Sequence, residues 1–210
     1  MLTNIDNLVF DLGGVVVDIN RDNCVKSLLE LGLDDAANLL DLYKQEGMFL
    51  ELEEGKITAA DFFDYLRSKC RRKDVTDKEL ESALCDFIIG LPLNRLKALR
   101  ELRKTKKVYA LSNTNAIMFH SVIDRLFRQE GLCIHDYFDG IIVSFAERSC
   151  KPSHEIFNVL LHRYDLAGSR TLFLDDSQVN CDAAEACGIK AALVAPGTEF
   201  VDVLNNLSEQ

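Results

Sequence analysis

The sequence lacks the features that direct a chain into or across a membrane. No apolar run reaches the roughly 18 residues that a transmembrane helix needs, so no membrane span is predicted. Residues 1–6 contain neither the basic segment nor the apolar segment of a signal peptide, so we expect none. Internal repeats and low-complexity segments are absent too. With 48% hydrophobic and 28% charged residues, the composition is that of an ordinary globular protein.

The sequence has few basic residues relative to its acidic residues. The 24 Lys and Arg residues are outnumbered by 34 Asp and Glu residues, which gives a formal net charge of −10. Because nucleic acids and anionic membranes are themselves polyanions, we expect neither as a partner. A small phosphorylated ligand is compatible with this charge, since a local group of positive charges can outweigh the overall field. The sequence leaves both a monomer and a homodimer open.

The seven cysteines follow no pattern of disulfide or metal-binding proteins. Their number is odd and no C-x-x-C pair occurs, so neither a disulfide framework nor a zinc site is predicted. This use of cysteine favours a reducing compartment, and we expect the protein to be cytoplasmic. Cys150 lies beside Lys151, but no partner histidine is identifiable, so a packing role is favoured over a nucleophile. His154 and His162 fall on a predicted amphipathic helix, where surface or boundary positions are expected.

Short apolar runs, each bounded by polar residues or glycine, predict five β-strands. They cover residues 7–10, 107–111, 140–144, 171–174 and 190–194. From the second run onward, helical patterns alternate with the strands, as at 153–164 and 178–187. Continuous apolar strands that alternate with helices are typical of a parallel sheet covered on both faces. The sequence therefore predicts an α/β fold.

The stretch from residue 18 to residue 91 has a different pattern, with helical signals and no strand signal. Predicted helices cover residues 23–31, 36–43, 59–70 and 77–89. Thr58 and Thr76 begin capping-box patterns before the last two. At about seventy residues the stretch exceeds a single-helix crossover, so an inserted helical domain is favoured over an ordinary connection.

Polar side chains follow the predicted strands at four places. Because ligands bind outside the carboxyl ends of the strands in such sheets, we expect these side chains to form one site. A carboxylate, a hydroxyl with an amide, an ammonium group and a carboxylate pair are the parts of a metal-assisted phosphoryl-transfer site. The residues are Asp11, Ser112, Asn113, Lys151, Asp175 and Asp176.

Each of these residues also has an ordinary structural explanation. Asp11 is ionised at neutral pH and could attack phosphorus to form an acyl phosphate, although an aspartate at a strand end is commonly a turn residue. Ser112 and Asn113 could bind phosphate oxygens or cap a helix. Lys151, fixed by Pro152 before a helix that Ser153 opens, could pair with Asp11 and a phosphate or lie on the surface.

The adjacent carboxylates of Asp175 and Asp176 repel each other and favour a cation between themselves and Asp11. A small number of hard oxygen ligands suits Mg²⁺. Alternatively, Asp176 and Ser177 could cap the helix predicted to begin at Gln178. Both roles are compatible if Ser177 caps the helix and Asp176 binds the metal.

The order of these motifs resembles that of the haloacid dehalogenase superfamily, whose phosphohydrolases use an aspartate nucleophile. Residues 9–15 resemble its first motif, 110–115 its second, Lys151-Pro152 its third, and 172–177 with Asn180 its fourth. Gly55-Lys-Ile-Thr with Phe62-Phe63 is similar to members with a helical cap after the first strand. The nearest resemblance is to bacterial sugar-phosphate phosphatases such as the α-glucose-1-phosphate phosphatases.

The resemblance implies a Rossmann-like three-layer core, residues 1–17 and 92–210, with an inserted helical-bundle cap, residues 18–91. It also implies Mg²⁺ held by Asp11, the Gly13 carbonyl and Asp176, with Asp175 supporting the metal shell. Asp11 and Lys151 would then be catalytic, and Ser112, Asn113 and Lys151 would bind the phosphoryl oxygens. The cap would close over the site, exclude water and recognise the leaving group.

Gly13 departs from the family pattern, because most family phosphatases carry a second aspartate there as general acid and base. Glycine cannot transfer a proton, and such a group is commonly worth about a hundredfold to ten-thousandfold in rate. If proton transfer comes from elsewhere, the cap is the first place to search. The cap glutamates to consider are Glu46, Glu51, Glu53 and Glu54.

We predict a cytoplasmic Mg²⁺-dependent phosphatase of a small phosphorylated metabolite, with a sugar phosphate as the first class to test. One alternative is a metal-free 2-haloacid dehalogenase, which would keep Asp11 as nucleophile. Dehalogenases usually have an aromatic residue at position 13, so Gly13 with Asp175-Asp176 favours the phosphatase. The other alternative is a binding protein that keeps the phosphate pocket but has lost turnover with its general acid.

Overall fold

The computed structural model describes residues 2–40 and 46–209, and every structural statement here concerns these residues. The strands are β1 (Asn7–Phe10), β2 (Asp18–Ile19), β3 (Ile88–Gly90), β4 (Lys107–Ser112), β5 (Gly140–Val143), β6 (Thr171–Asp175) and β7 (Lys190–Leu193). Five of them form the main sheet in the order β5-β4-β1-β6-β7, with every neighbouring pair parallel. The predicted parallel sheet is confirmed, and β1 lies at its centre.

The central strands are buried on both faces, which explains why their sequences are continuous apolar runs. All four residues of β1 and all five of β6 are buried. Leu8 and Phe10 belong to one hydrophobic cluster, and Val9, between them, belongs to another on the opposite face. Helices cover both faces, so the chain has the predicted three-layer α/β architecture.

The helices, with short 3₁₀ and π turns between some of them, complete the fold. They are α1 (Arg21–Glu30), α2 (Ala36–Leu39), α3 (Gly47–Glu53), α4 (Ala59–Lys69), α5 (Asp77–Cys85), α6 (Leu93–Leu102), α7 (Ala116–Met118), α8 (Asp124–Leu126), α9 (Ile134–Tyr137), α10 (Ser144–Glu147), α11 (His154–Arg163), α12 (Gln178–Ala186) and α13 (Phe200–Ser208). Within the described residues, no helix has the length and apolar character that a bilayer crossing requires.

Helices α1 to α5 pack around a hydrophobic cluster of their own, which includes Leu28, Phe62 and Leu80. The predicted capping boxes at Thr58 and Thr76 are both present. The cluster also takes in Ile117 and Met118 of α7, so the cap packs directly on the core. The division into a cap at 18–91 and a core at 1–17 and 92–210 stays our proposal. Of the helix predicted at 36–43, residues 41–43 lie outside the described residues.

The expectation that residues 18–91 contain no strand is wrong. β2 and β3 form an antiparallel pair at the two points where the chain passes between core and cap, with Asp18 opposite Gly90. The helix predicted at 77–89 accordingly ends at Cys85. Pairing satisfies backbone groups at both crossings. Strands of two and three residues have no readable periodicity, and Ile88 continues the apolar stripe of α5 in sequence.

Arg95 of α6 links this crossing to the core. Its guanidinium is buried, donates to the Val16 carbonyl and to Asp18, and forms a bidentate pair with Glu199. Glu199 precedes α13, whose Phe200 packs edge-on against Phe10 of β1 at a centroid distance of 5.0 Å. One arginine therefore joins the start of the cap, the sheet and the C-terminal helix.

Candidate active site

The carboxyl ends of three adjacent strands bring the predicted site residues together. Because β1 lies between β4 and β6, Asp11 follows β1 at the point where Ser112 ends β4 and Asp175 ends β6. The Asp11 amide donates to the Leu174 carbonyl at 2.9 Å, which extends the sheet pairing by one residue. The order of strands, rather than proximity in sequence, assembles the site.

Three carboxylates form the acidic triad: Asp11, Asp175 and Asp176. Each offers an oxygen that lies within 4.8 Å of those of the other two. Asp11 and Asp175 are buried, and Asp176 is half-buried. Gly14, at φ +75°, approaches Asp176 so closely that a Cβ there would collide with Oδ2. The triad is therefore packed against a backbone that only glycine fits.

Lys151 is the cation that faces the acidic triad. Its Nζ lies 2.9 Å from Asp11 Oδ1 and 2.6 Å from Asp175 Oδ2, and its side chain is 1% exposed. Burial alone would lower the pKa of Lys151, but the charges of Asp11 and Asp175 outweigh it and raise the pKa above its ordinary value. A permanently charged ammonium group therefore lies between the two carboxylates.

One ammonium group does not balance three carboxylates. Burial raises the pKa of Asp11 to about 7, with Lys151 opposing the shift and the charges of Asp175 and Asp176 adding to it. Burial and Asp175 raise the pKa of Asp176 to about 6. Hard oxygen donors with a surplus of negative charge are the ligands that Mg²⁺ prefers. Asp11, Asp176 and the backbone of Gly13, which lines the same cavity, are suited to hold such an ion.

Both carboxylate oxygens of Asp175 accept hydrogen bonds from neighbouring residues. One carboxylate oxygen accepts from the Ser177 amide and from Asn180 Nδ2, and the other accepts from Lys151. Ser177 occupies the N-cap position of α12, but its hydroxyl makes no capping hydrogen bond, contrary to expectation. Asp176, by contrast, lines the cavity and is the carboxylate of the pair available to a ligand.

The side chain of Asn113 makes two hydrogen bonds to the backbone of Lys151. Its amide donates to the Lys151 carbonyl at 2.9 Å and accepts from the Lys151 amide at 2.8 Å. The side chain therefore positions Lys151, although Asn113 lines the cavity together with the buried Ser112. Neither residue is a helix cap, because the next helix begins one turn later with Asn115 as its N-cap.

A cavity of about 350 Å³ lies over Asp11, between core and cap. Its core side carries the polar groups described above. Its other walls are largely apolar, and the sequence did not identify these residues as part of the site, because they come from separate elements and share no common periodicity. They are Val17, Ile19, Phe49, Leu50, Phe87, Ile88, Met118 and Ile123.

The cap also contributes two carboxylates to this cavity, Glu53 and Glu54. Glu53 ends α3 and is half-buried. Burial raises its pKa to about 8, with Asp11 adding to the shift and Lys151 opposing it. Glu46 and Glu51 do not line the cavity. The sequence named all four glutamates without an order among them, because only the turn after α3 decides which ones face Asp11.

Cys150 has the packing role that the sequence favours. It is buried beside Lys151, and burial raises its pKa to about 12, which keeps the thiol protonated. All seven cysteines are free, as expected. His154 and His162 are exposed on α11 and take no part in the site.

Residues 5–188 match the family profile of the haloacid dehalogenase-like hydrolases. Among curated proteins, the D-ribitol-5-phosphate phosphatase of Bacteroides thetaiotaomicron is 39% identical over 196 residues, which cover 93% of this chain and 95% of that protein. The sesquiterpene phosphatase astK of Aspergillus oryzae is 28% identical over 192 residues, covering 90% and 89% of the two chains.

A solved structure has the same architecture. The wild-type enzyme bt-2542 of Bacteroides thetaiotaomicron, a member of the haloacid dehalogenase family crystallised with magnesium and inorganic phosphate, superposes with a TM-score of 0.89. It is 32% identical, and the match covers 95% of this chain and 98% of that one.

Proposed function

The chain belongs to the haloacid dehalogenase-like hydrolases and is a hydrolase of the phosphatase type, and we propose that it uses Mg²⁺ to hydrolyse a small sugar or sugar-alcohol phosphate. The observation that carries this proposal is the acidic triad around the buried Lys151, at the carboxyl ends of three strands and below a cavity. A triad with a surplus of negative charge has little use without a cation.

The substrate class is proposed from the relative and from the size of the cavity. The ribitol-5-phosphate phosphatase shares 39% of its residues with this chain over nearly the full length of both. A cavity of about 350 Å³ suits a phosphate group and a small alcohol. The absence of nucleic-acid and membrane partners, and a cytoplasmic location, stay predictions from composition.

We assign the metal to Asp11, the Gly13 carbonyl and Asp176, with Asp175 supporting the shell. The oxygen donors and the surplus of negative charge fit Mg²⁺, and a neighbouring structure was solved with magnesium. When bound, the ion would reduce the repulsion between an anionic nucleophile and an anionic phosphoryl group. Both oxygens of Asp175 already accept hydrogen bonds, so we assign it a supporting role beside the metal.

The remaining roles follow from position. Asp11 attacks phosphorus and forms an aspartyl phosphate, which water then cleaves. Lys151 holds Asp11 in place and neutralises a phosphoryl oxygen. The Ser112 hydroxyl and the backbone of Asn113 face the cavity and bind the other phosphoryl oxygens. The Asn113 side chain holds the backbone of Lys151 in place. The cap covers the site and contacts the alcohol.

A second substrate class is favoured by two observations. Eight apolar side chains from the described part of the chain line the cavity, and the sesquiterpene phosphatase is 28% identical to this chain. A phosphate ester of an apolar alcohol is therefore our second candidate. A metal-free dehalogenase is less well supported, because a haloacid carboxylate has no need of the two further carboxylates beside Asp11.

The proposal is tested with a panel of sugar, sugar-alcohol and isoprenoid phosphates, assayed with Mg²⁺ and with a chelator. We expect phosphate release from a polyol or sugar phosphate that depends on Mg²⁺ and is lost in Asp11→Asn. Asp202→Asn, an exposed change on α13, serves as the matched control and should keep full activity. Halide release from haloacids without Mg²⁺, or tight phosphate binding without any hydrolysis, would contradict the proposal.

A further inference from the structure

We propose that Glu53 of the cap is the general acid and base of the reaction and replaces the aspartate that is missing at position 13. The inference rests on the proposed phosphatase function. It concerns the proton that an alcohol leaving group needs when its bond to phosphorus breaks. Gly13 lines the cavity but has no side chain that could supply this proton.

Few groups in the cavity could do so. Among the described residues that line it, the acidic side chains are Asp11, Asp176, Glu53 and Glu54, and no histidine or tyrosine is present. Asp11 is the proposed nucleophile and Asp176 a proposed metal ligand. Lys151 is held between two carboxylates, and Cys150 keeps its proton. The choice therefore falls on the two cap glutamates.

The contacts of the two glutamates distinguish them. Glu54 Oε2 forms an ion pair with Lys56 Nζ at 2.5 Å, so its carboxylate already has a cationic partner. In the described part of the chain, Glu53 has no hydrogen bond and no ion pair, and it interacts electrostatically with Asp11 and Lys151. Glu53 is thus the acidic side chain of the cap that faces the nucleophile and is free to bind substrate.

The turn after α3 holds Glu53 in place. The Glu54 amide bonds to the Leu50 carbonyl at 2.8 Å and ends the helix. Gly55 follows at φ +59°, and a Cβ there would collide with the Phe145 carbonyl oxygen of α10 in the core. Leu52 anchors the same segment in the hydrophobic cluster of the cap. This turn is a direct contact between cap and core, so it fixes Glu53 over the site.

The environment of Glu53 favours the protonated form that an acid must have at the start of the reaction. Burial raises its pKa to about 8, the charge of Asp11 adds to this, and Lys151 opposes it. Cys150, which also faces Glu53 from the core, is neutral at this pH. A carboxylic acid with a pKa near the working pH can both give up and recover a proton.

The proton balance of the two half-reactions is complete. As an Asp11 oxygen bonds to phosphorus, the bond from phosphorus to the ester oxygen breaks, and that oxygen takes the electron pair and the Glu53 proton. In the second half-reaction the Glu53 carboxylate accepts a proton from water while the water oxygen bonds to phosphorus. The bond from Asp11 to phosphorus breaks, inorganic phosphate leaves, and both side chains return to their initial states.

The test compares Glu53→Gln with Glu54→Gln on an alkyl phosphate and on p-nitrophenyl phosphate. The alkyl phosphate chosen is the one that the wild type hydrolyses fastest in the substrate panel. Its alkoxide leaving group needs a proton, whereas p-nitrophenolate leaves without one. We expect Glu53→Gln to lose about a hundredfold to ten-thousandfold in kcat/KM on the alkyl phosphate. On the aryl phosphate it should release one equivalent of p-nitrophenol in a fast burst, followed by slow turnover. Glu54→Gln changes the same cavity but removes a carboxylate already paired with Lys56, so it should keep the wild-type ratio of alkyl to aryl turnover. Asp202→Asn, exposed on α13, should leave both rates unchanged.

Two further measurements keep the test decisive. Inorganic phosphate with Mg²⁺ should bind Glu53→Gln within about threefold of the wild type, which shows an intact site. If Glu53→Gln does not fold, Glu53→Asp takes its place, with reduced alkyl turnover and an unchanged aryl burst expected. Full turnover of the alkyl phosphate in a folded variant, or equal losses on both substrates without a burst, would overturn the role of Glu53 and leave the proposed phosphatase function standing. A wild type inactive on every phosphate would instead contradict the proposed function.

Discussion

Replacing Lys151 by methionine removes the cation that, among the described residues, faces the acidic triad, and it changes little else. The two side chains have similar length, and the Lys151 side chain is 1% exposed, so water cannot take the place of its charge. Asp11 and Asp175 would each lose an ionic hydrogen bond, at 2.9 and 2.6 Å. Three carboxylate groups would then remain within 4.8 Å of one another.

We expect this change to lower the free energy of unfolding by about 3 kcal/mol. Removing one partner of a buried ion pair typically costs about 3–5 kcal/mol. The lower end applies because burial already raises the pKa of Asp11 to about 7, so this carboxylate can take up a proton when Lys151 is absent. Lys104→Met is the control, because Lys104 is 66% exposed in its pair with Glu101 and should contribute at most about 1 kcal/mol.

Mg²⁺ should reverse part of this loss. Without Lys151 the triad attracts a divalent cation more strongly, and a ligand that binds only the folded state stabilises it in proportion to the logarithm of its affinity. The increase in stability on adding Mg²⁺ is therefore expected to be larger in Lys151→Met than in the wild type. Phosphatase activity should not return, because the ammonium group that neutralises the phosphoryl oxygen is still missing.

Urea unfolding followed by circular dichroism, with a chelator and with saturating Mg²⁺, measures the stabilities, and phosphate release assayed under the same two conditions measures the activity. The wild type, Lys151→Met and Lys104→Met are compared at neutral pH. A Lys151→Met protein as stable as Lys104→Met would refute the argument from burial. An equal gain from Mg²⁺ in Lys151→Met and the wild type would refute the assignment of the metal to the triad.

Gly14→Ala should lower the affinity for Mg²⁺ by about tenfold or more, because the new Cβ displaces Asp176. Calorimetry measures this affinity. Gly131→Ala is the control for backbone strain, because Gly131 has a similar positive φ but nothing lies near its Cβ. Equal affinities in the two variants would contradict this. Arg95→Met should cost about 1–2 kcal/mol, since the lost hydrogen bonds are ionic but both partner carboxylates are partly exposed. The hydrogen bond from Arg95 holds the pKa of Glu199 below its usual range. The contribution of this pair to the free energy of unfolding is therefore complete above the pKa of Glu199 in the unfolded chain, about 4.3, and is lost as the pH falls through the pKa of Glu199 in the folded protein. The difference between the wild type and Arg95→Met should therefore shrink below about pH 4 in urea titrations, and a constant difference would contradict the role of Glu199.

Much of the core could be predicted because its signals are local. The strand at Asn7–Phe10 was predicted to the residue, since a run buried on both faces is apolar throughout and is followed by a polar residue and glycines. Parallel order then required Asp11, Ser112 and Asp175 to meet at one edge. The length of residues 18–91 favoured an inserted helical domain over an ordinary crossover, and the resemblance added the prediction that this domain is a cap.

What could not be predicted depends on contacts between distant residues. The pairing of Asp18 with Gly90 joins two segments that carry no strand pattern of their own. The amide of Asn113 binds the backbone of Lys151, 38 residues later in the chain. Glu53 faces Asp11 because Gly55 allows a close approach between the cap and α10. In each case tertiary contacts, and not the local sequence, decide what the side chain touches.

The central claim is that the Asp11 carboxylate attacks phosphorus. The most direct measurement is borohydride reduction during turnover with Mg²⁺ and an aryl phosphate, followed by peptide mass spectrometry. Borohydride reduces an acyl phosphate to an alcohol, so the account predicts conversion to homoserine at position 11, dependent on both substrate and Mg²⁺. The intermediate should accumulate in Glu53→Gln. Steady phosphate release by this variant, with position 11 still unmodified after borohydride treatment, would contradict attack by Asp11.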